Sequence, residues 1–259
     1  MNPTEDRRII DAHAHCGVQD QSFAQSFQDY RAAVQNSPIQ GVVMFPPVME
    51  IYNRFDPFFQ DTPEWQARRS RANEYVAGLG EDSLRVIPYF FIWNDFAIQS
   101  IDQRFQGIKW HRHPSEPEYR YSDPACRRAV REIERRRLPV VLEEELENTL
   151  FFIRELAPEA IVIIPHLGGL NGGYRNLLRE DVFQLERVYA DTALASSAEI
   201  SDYVERFGPN RLLFGSDFPF GHPAAELAKV QRLSFPEEIE TAILGGNVLD
   251  LVSSVRGPD

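Results

Sequence analysis

The stretch Ile9-Ile10-Asp11-Ala12-His13-Ala14-His15-Cys16-Gly17 decides how the rest of the chain is read. A short apolar strand runs into two histidines at i and i+2, and a glycine ends it. Side chains alternate across a strand, so His13 and His15 point the same way, with Cα atoms about 6.6 Å apart. Two imidazoles so placed lean toward one cation, each offering a nitrogen at about 2.0–2.1 Å. A lone His-x-His pair equally suits two histidines hydrogen-bonded to backbone at a loop mouth. The metal reading gains from four strand-like segments downstream that also end in groups able to bind an ion.

The chain has 259 residues with a formal net charge of −12, from 39 acidic against 27 basic side chains. An acidic balance argues against a nucleic-acid partner, which needs a basic footprint. Cys16 and Cys126 make neither a disulfide framework nor a Cys-x-x-Cys metal site, and Cys16 alternates away from His13 and His15, as a packing residue does. No long apolar segment follows the first arginines as in a secretion signal, and no run approaches the ~18 apolar residues of a membrane span. The expectation is a cytoplasmic protein with a small-molecule substrate and no nucleic-acid or membrane partner; a homodimer is the assembly considered.

Apolar strands alternate with helical segments along the whole chain. Strands are expected at Gly41–Phe45, Arg85–Ile92, Gly107–His111, Leu138–Glu143, Ala160–His166, Leu185–Thr192 and Arg211–Asp217, after the first one. Helices are expected at 20–36, 63–79 (with Gly80 as its cap), 95–105, 146–156, 174–184, 196–207, 223–233 and 236–253. Another starts at Ser122-Asp123-Pro124, an N-cap followed by proline. Its basic run, Arg127-Arg128 through Arg135-Arg136-Arg137, reads as a solvated face. The loop 46–63 is longer than most connections and carries Tyr52 and Arg54, as functional lids do.

Such alternation implies βα units and a parallel sheet. Eight units in this length fit one α/β domain over 1–259, a closed (β/α)8 (TIM) barrel. An open doubly wound sheet is the competitor, disfavoured because no Gly-x-Gly-x-x-Gly follows a strand. In a barrel the C-terminal strand ends converge on one mouth. Those ends carry His13, His15, Lys109, His111, Glu143, His166 and Asp217. Imidazole with carboxylate suits a divalent ion, zinc first, with manganese or iron as alternatives. Such an ion acidifies its bound water toward a pKa of ~7, and a nearby carboxylate then takes the proton.

These residues resemble the metal-dependent amidohydrolase superfamily, in particular its amidohydrolase-2 branch. The markers are His13-Ala14-His15, Ile164-Pro165-His166-Leu167-Gly168-Gly169, Leu212-Leu213-Phe214-Gly215-Ser216-Asp217-Phe218-Pro219 and the closing Gly246-Asn247-Val248-Leu249-Asp250-Leu251. The resemblance spans essentially the whole chain. It implies that His13 and His15 bind the metal and that Asp217 binds it or shuttles the proton of the attacking water. His166 would be a further ligand or the group that polarises a substrate carbonyl. The chain departs from the branch at the end of the fifth strand, where Glu143 stands in place of the usual ligand histidine; it is read as a replacement ligand, against a carboxylate paired with an arginine.

Around this set, Lys109, His111, Tyr52, Arg54 and Trp93 are expected to face substrate. Lys109 reads better as the partner of a carboxylate or of substrate than as a carbamylated metal bridge. His113 carries a weaker signal, His222 reads as a helix cap, and Asp191 either orients a ligand histidine or caps a turn. The resulting expectation is a metal-dependent hydrolase that activates water to cleave an amide, lactone or ester. The alternatives are a metal-dependent non-oxidative decarboxylase of a small aromatic or unsaturated acid, or a non-catalytic relative.

Overall fold

The computed structural model describes residues 8–17, 25–80 and 83–258. The N-terminal stretch weighed as a secretion signal, and positions 20–24 of the first expected helix, lie outside them. Among the described residues, nine short strands are all parallel to their neighbours. Strands β1 (Ile9–His15), β2 (Ile39–Phe45) and β3 (Arg85–Pro88) form one sheet in that order. Strands β4 (Phe90–Phe91), β5 (Ile108–His111), β6 (Val140–Glu143), β7 (Val162–Ile164), β8 (Val188–Asp191) and β9 (Leu212–Leu213) form the second, also in sequence order.

The single strand expected over Arg85–Ile92 is divided at Tyr89, next to Pro88, which has no N–H for a ladder bond. Tyr89 N–H still donates to Met44 O (2.8 Å) and Phe90 N–H to Gly107 O (2.9 Å), so this segment joins the two sheets. At the other edge, Ala12 N–H donates to Phe214 O (2.7 Å), Asp217 N–H to His13 O (2.8 Å) and His15 N–H to Phe218 O (2.8 Å).

Strand alternation sorts the core into two clusters. Val42 and Met44 of β2 face the helices, whereas Val43 and Phe45 join Ile10, Ala12, Ile87, Tyr89, Val141, Ile163 and Leu213 on the other face. Ile108 and Trp110 of β5 and Val140 and Leu142 of β6 likewise pack toward the helices. That parity sends Lys109, His111 and Glu143 to the same side as Val141. In β1 a register shift between Asp11 and Ala14 accompanies the change from the apolar Ala12 to His13 on the inner side.

The helices are α1 (Phe27–Val34), α2 (Pro63–Ala77), α3 (Pro124–Arg136), α4 (Leu146–Phe151), α5 (Tyr174–Arg179), α6 (Ser197–Phe207), α7 (Pro223–Gln231), α8 (Glu237–Thr241) and α9 (Asn247–Ser253). Helix α3 starts as expected, with Asp123 capping Ala125 N–H ahead of Pro124. Gly78, rather than Gly80, follows α2. His222 precedes α7 without a side-chain cap bond. A wide turn at Ala242–Gly246 joins α8 to α9. Gly245 sits so close to β1 that a Cβ there would lie 1.8 Å from Arg8 O. Asn247 Nδ2 then donates to Pro209 O and Leu212 O, both at 2.7 Å.

Two expectations are corrected together. The helix expected over 95–105 is only a single turn at Ile98–Ser100, and Arg136 is 1% exposed rather than solvated. Arg136 reaches out of α3 to donate to Ile101 O (2.5 Å), Asp102 O (3.0 Å) and Arg256 O (3.3 Å). Its guanidinium thus satisfies carbonyls that a helix would have given to its own N–H groups. Arg136→Ala is therefore expected to destabilise the fold by about 2–4 kcal/mol, because buried carbonyls lose their donors. Arg135→Ala, on the exposed face, should change stability by no more than ~0.5 kcal/mol. Urea unfolding followed by circular dichroism measures both, and equal effects would refute the assignment.

Candidate active site

Three side chains converge at the meeting of β1 with the segment after β9. His13 Nε2 lies 3.4 Å and His15 Nε2 3.3 Å from the same atom, Asp217 Oδ1. That oxygen is buried and has no hydrogen-bond partner among the described residues. His13 Nδ1 is held by Asp191 Oδ2 at 2.7 Å. With its Nδ1 proton fixed on that carboxylate, His13 turns the Nε2 lone pair toward Asp217, as carboxylate-oriented metal histidines do. The three donors form one of the groups able to hold a metal ion among the described residues.

His166 approaches from the end of β7. The strand stops at Ile164, and His166 and Leu167 take left-handed backbone (φ 56° and 48°), so the expected strand does not run to the histidine. Gly168 follows at φ 87°, where a Cβ would meet Leu177 Cδ1 at 2.0 Å. His166 N–H donates to Asp191 Oδ1 (2.8 Å), and His166 Nδ1 donates to Ala193 O (3.2 Å). Nε2 then faces Asp217 Oδ2 (3.9 Å) and Glu143 Oε2 (3.6 Å). Asp217 is likewise left-handed (φ 56°), in a segment that the strand expected to its end does not reach.

Glu143 stands apart from the His13–His15–Asp217 group. Its Oε1 accepts from His111 Nε2 (2.9 Å) and His113 Nε2 (2.6 Å), and its Oε2 from Lys109 Nζ (3.1 Å). Lysine and histidines, not an arginine, are its partners. With His111 and His113 it forms a second group of potential ligands. Lys109 Nζ also lies 3.4 Å from His13 Nε2, between the two clusters.

The long loop closes over His111 and His113. Tyr52 OH donates to Glu116 Oε2 (2.7 Å) and lies 3.3 Å from His111 Nδ1. Arg54 Nε donates to Glu116 Oε1 (2.7 Å), and Arg54 Nη2 to His113 Nδ1 (2.9 Å). Trp93 is buried and stacks on Tyr52 with ring centroids 4.0 Å apart. Tyr52 and Trp93 therefore back His111 from behind, and Arg54, of the loop and aromatic residues expected to face substrate, keeps some exposure, at 16%.

Glu116 and Asp11 were missed by sequence reasoning. Asp11 accepts from Ser216 Oγ (2.5 Å), Ser216 N–H (2.8 Å) and Tyr30 OH (2.9 Å), which fastens β1 to the segment carrying Asp217. His113 was undervalued, although His111-Arg112-His113 repeats the i, i+2 spacing of His13 and His15.

The electrostatics follow these pairings. Burial alone would raise Asp217, but His15, His166 and His13 hold it down to about 2. Burial likewise opposes ionisation of Glu143 and Asp191, yet His111 and Lys109 around the first and His13 around the second keep both below the ordinary carboxylate range. Burial pushes His111 down to about 4. It would lower His166 too, but Glu143, Asp217 and Asp191 carry it up to about 9.

A histidine raised on folding contributes stability that is present below its unfolded value of 6.5 and lost as pH rises through about 9. At about 1.4 kcal/mol per unit, His166 supplies at most ~3 kcal/mol. The melting temperature of chelator-treated protein should fall between pH 6.5 and 9.5, and His166→Asn should flatten that decline. An unchanged slope in the variant would contradict the charge assignment.

The comparisons with known proteins agree with this architecture. A 2,6-dihydroxybenzoate decarboxylase from Rhizobium superposes with a TM-score of 0.73 at 14% identity, covering 95% of this chain and 99% of that one. A protein assigned as a 2-pyrone-4,6-dicarboxylic acid hydrolase from Pseudomonas putida gives 0.64 at 13%, over 96% and 98%. A zinc-bound amidohydrolase from Burkholderia multivorans gives 0.64 at 14%, over 95% and 99%. At such identities the likeness is one of fold. No curated protein matches the chain in sequence. The amidohydrolase family profile (Amidohydro_2) matches residues 10–252, nearly the whole chain, and the protein belongs to that family.

Proposed function

We propose that this chain is a metal-dependent hydrolase that uses water to cleave an amide, lactone or ester bond in a small carbonyl substrate. The observation that carries the reading is the convergence of His13 Nε2, His15 Nε2 and the partnerless Asp217 Oδ1, with separations of 3.3 and 3.4 Å. Ligands on a tetrahedral ion with bonds of about 2.0–2.1 Å lie about 3.4 Å apart, so the donor set fits. Zinc suits two imidazoles and a carboxylate, with manganese or iron as alternatives, and a zinc-bound family neighbour is consistent with it. We also read the backbone bonds on both flanks, Tyr89 to Met44 and Ala12 to Phe214, as closing the strands into one (β/α)8 barrel.

When bound, such an ion would supply an acidified water and a Lewis acid for the substrate oxygen. The chain's residues divide the remaining work. Asp217, ionised at neutral pH, takes the proton of the attacking water on Oδ2 and passes it to the leaving group. His166, protonated at neutral pH, donates from Nε2 to the developing oxyanion. Asp191 orients both histidines through His13 Nδ1 and His166 N–H. His111 and Arg54 line the substrate side, with Tyr52 and Trp93 fixing His111 from behind.

A second reading, non-oxidative decarboxylation of a small aromatic or unsaturated acid, uses the same groups. It is favoured by the cationic His166, which suits a substrate carboxylate, and by decarboxylases among the fold neighbours.

Alanine at His13, His15 or Asp217 is expected to abolish turnover, and normal rates in all three would refute the site. Asp191→Asn should weaken metal binding about 10–100-fold, as loss of a ligand-orienting group does; competition with a fluorescent chelator reads this. Turnover in oxygen-18 water separates the two chemistries. Hydrolysis puts one solvent oxygen into the acid product, whereas decarboxylation leaves the organic product unlabelled and releases CO₂.

A further inference from the structure

Lys109 is a buried charged group that the chemistry above leaves unused. Its side chain is fully buried. Nζ lies 3.1 Å from Glu143 Oε2, 3.4 Å from His13 Nε2 and 4.7 Å from the centre of the Phe45 ring. Phe45 is itself buried, so the aromatic face stabilises positive charge there without competing water.

The two clusters flanking Lys109 differ in their spacing. Around Asp217 the donors stand 3.3–3.4 Å apart and one oxygen lacks a partner. Around Glu143 they stand at 2.6 and 2.9 Å, which are hydrogen bonds already made. The proton positions point the same way. Arg54 Nη2 donates to His113 Nδ1, so His113 carries its proton on Nε2 and gives it to Glu143. That nitrogen has no lone pair left for a metal.

Resting on the reading that an ion sits at His13, His15 and Asp217, we propose that the Lys109 ammonium stands in for a second metal ion, with Glu143 as its counter-ion rather than a ligand. The chain then holds one divalent ion. The ammonium stands 3.4 Å from His13 Nε2 and 3.1 Å from Glu143 Oε2, so it places a positive charge beside the first ion's ligands, as a second ion of a two-metal site does. Lys109 also stays uncarbamylated, because a carbamate would set a second anion against Glu143 and forfeit the attraction of the Phe45 ring.

Removing the ammonium should open the place it fills. Glu143 Oε2 and His166 Nε2 stand 3.6 Å apart, and His166 Nε2 and Asp217 Oδ2 3.9 Å apart. These three atoms become a donor set once Lys109 no longer neutralises Glu143 and zinc displaces the proton from His166 Nε2, the Nδ1 proton still donated to Ala193 O.

The test is zinc stoichiometry by plasma mass spectrometry after metal removal and reconstitution with zinc alone, with circular dichroism melts as the folding control. Wild type and Glu143→Gln should each hold one zinc per chain, and Lys109→Ala should approach two. Wild type equilibrated with ¹³C-bicarbonate should show no lysine carbamate resonance, a readout that stands even where a variant fails to fold. Two zincs in wild type, loss of zinc in Glu143→Gln, a ratio fixed at one in folded Lys109→Ala, or a carbamate signal would each overturn the proposal while leaving the metal site itself intact. No zinc in wild type would instead defeat the metal reading, and this inference with it.

Discussion

A single buried carboxylate, that of Asp191, holds the candidate site together. From the end of β8 it accepts from His13 Nδ1 on β1, from His166 N–H beyond β7 and from Ala193 N–H in its own loop. Two segments distant in sequence, and the turn beside it, are thereby fixed to one side chain. Full burial opposes its charge, and the hydrogen bonds from His13 Nδ1 and His166 N–H, together with the positive charge of His166, restore it. Without it, His13 would lose the bond that turns Nε2 to the cleft, and His166 the anchor of its backbone.

Around this anchor the charges form two centres, one at Asp217 and one at Glu143. Asp217 faces the Nε2 atoms of His13 and His15 at 3.4 and 3.3 Å, and its Oδ1 has no hydrogen-bond partner among the described residues. Glu143 is saturated by Lys109, His111 and His113, and that group is braced from outside by Arg54, Tyr52 and Glu116. Both centres sit where burial would neutralise an isolated carboxylate, so each depends on partners from other strands. The two centres thus differ in what surrounds them: open donor spacing around Asp217, and completed hydrogen bonds around Glu143.

Much of this was legible from local pattern. The alternation of β1, β5 and β6 was enough to put His13 with His15 and Lys109 with His111 and Glu143, because side-chain parity is a property of the strand alone. The positions of Asp217 and His166 along the chain were legible too, through the quoted motifs. Their conformations were not: both residues depart from strand geometry into left-handed backbone, for which Asp and His give little local warning. The pairing of Arg54 and Tyr52 with Glu116 joins loops some sixty positions apart, and no periodicity encodes such a contact. The helix expected over 95–105 failed for a similar reason, since Arg136 from α3 supplied its carbonyls with other donors.

The left-handed backbone at His166, Leu167 and Asp217 has an evolutionary consequence. Each non-glycine residue held there costs of order 1–2 kcal/mol relative to glycine, which tolerates the conformation. The cleft is thus assembled from positions where the native side chain is the less comfortable choice for the backbone. A lineage selected for heat resistance alone would drift toward glycine or asparagine at these positions and lose its cleft before its parallel-sheet core. Retention of histidine and aspartate there, against that drift, would mark descendants still under selection for chemistry.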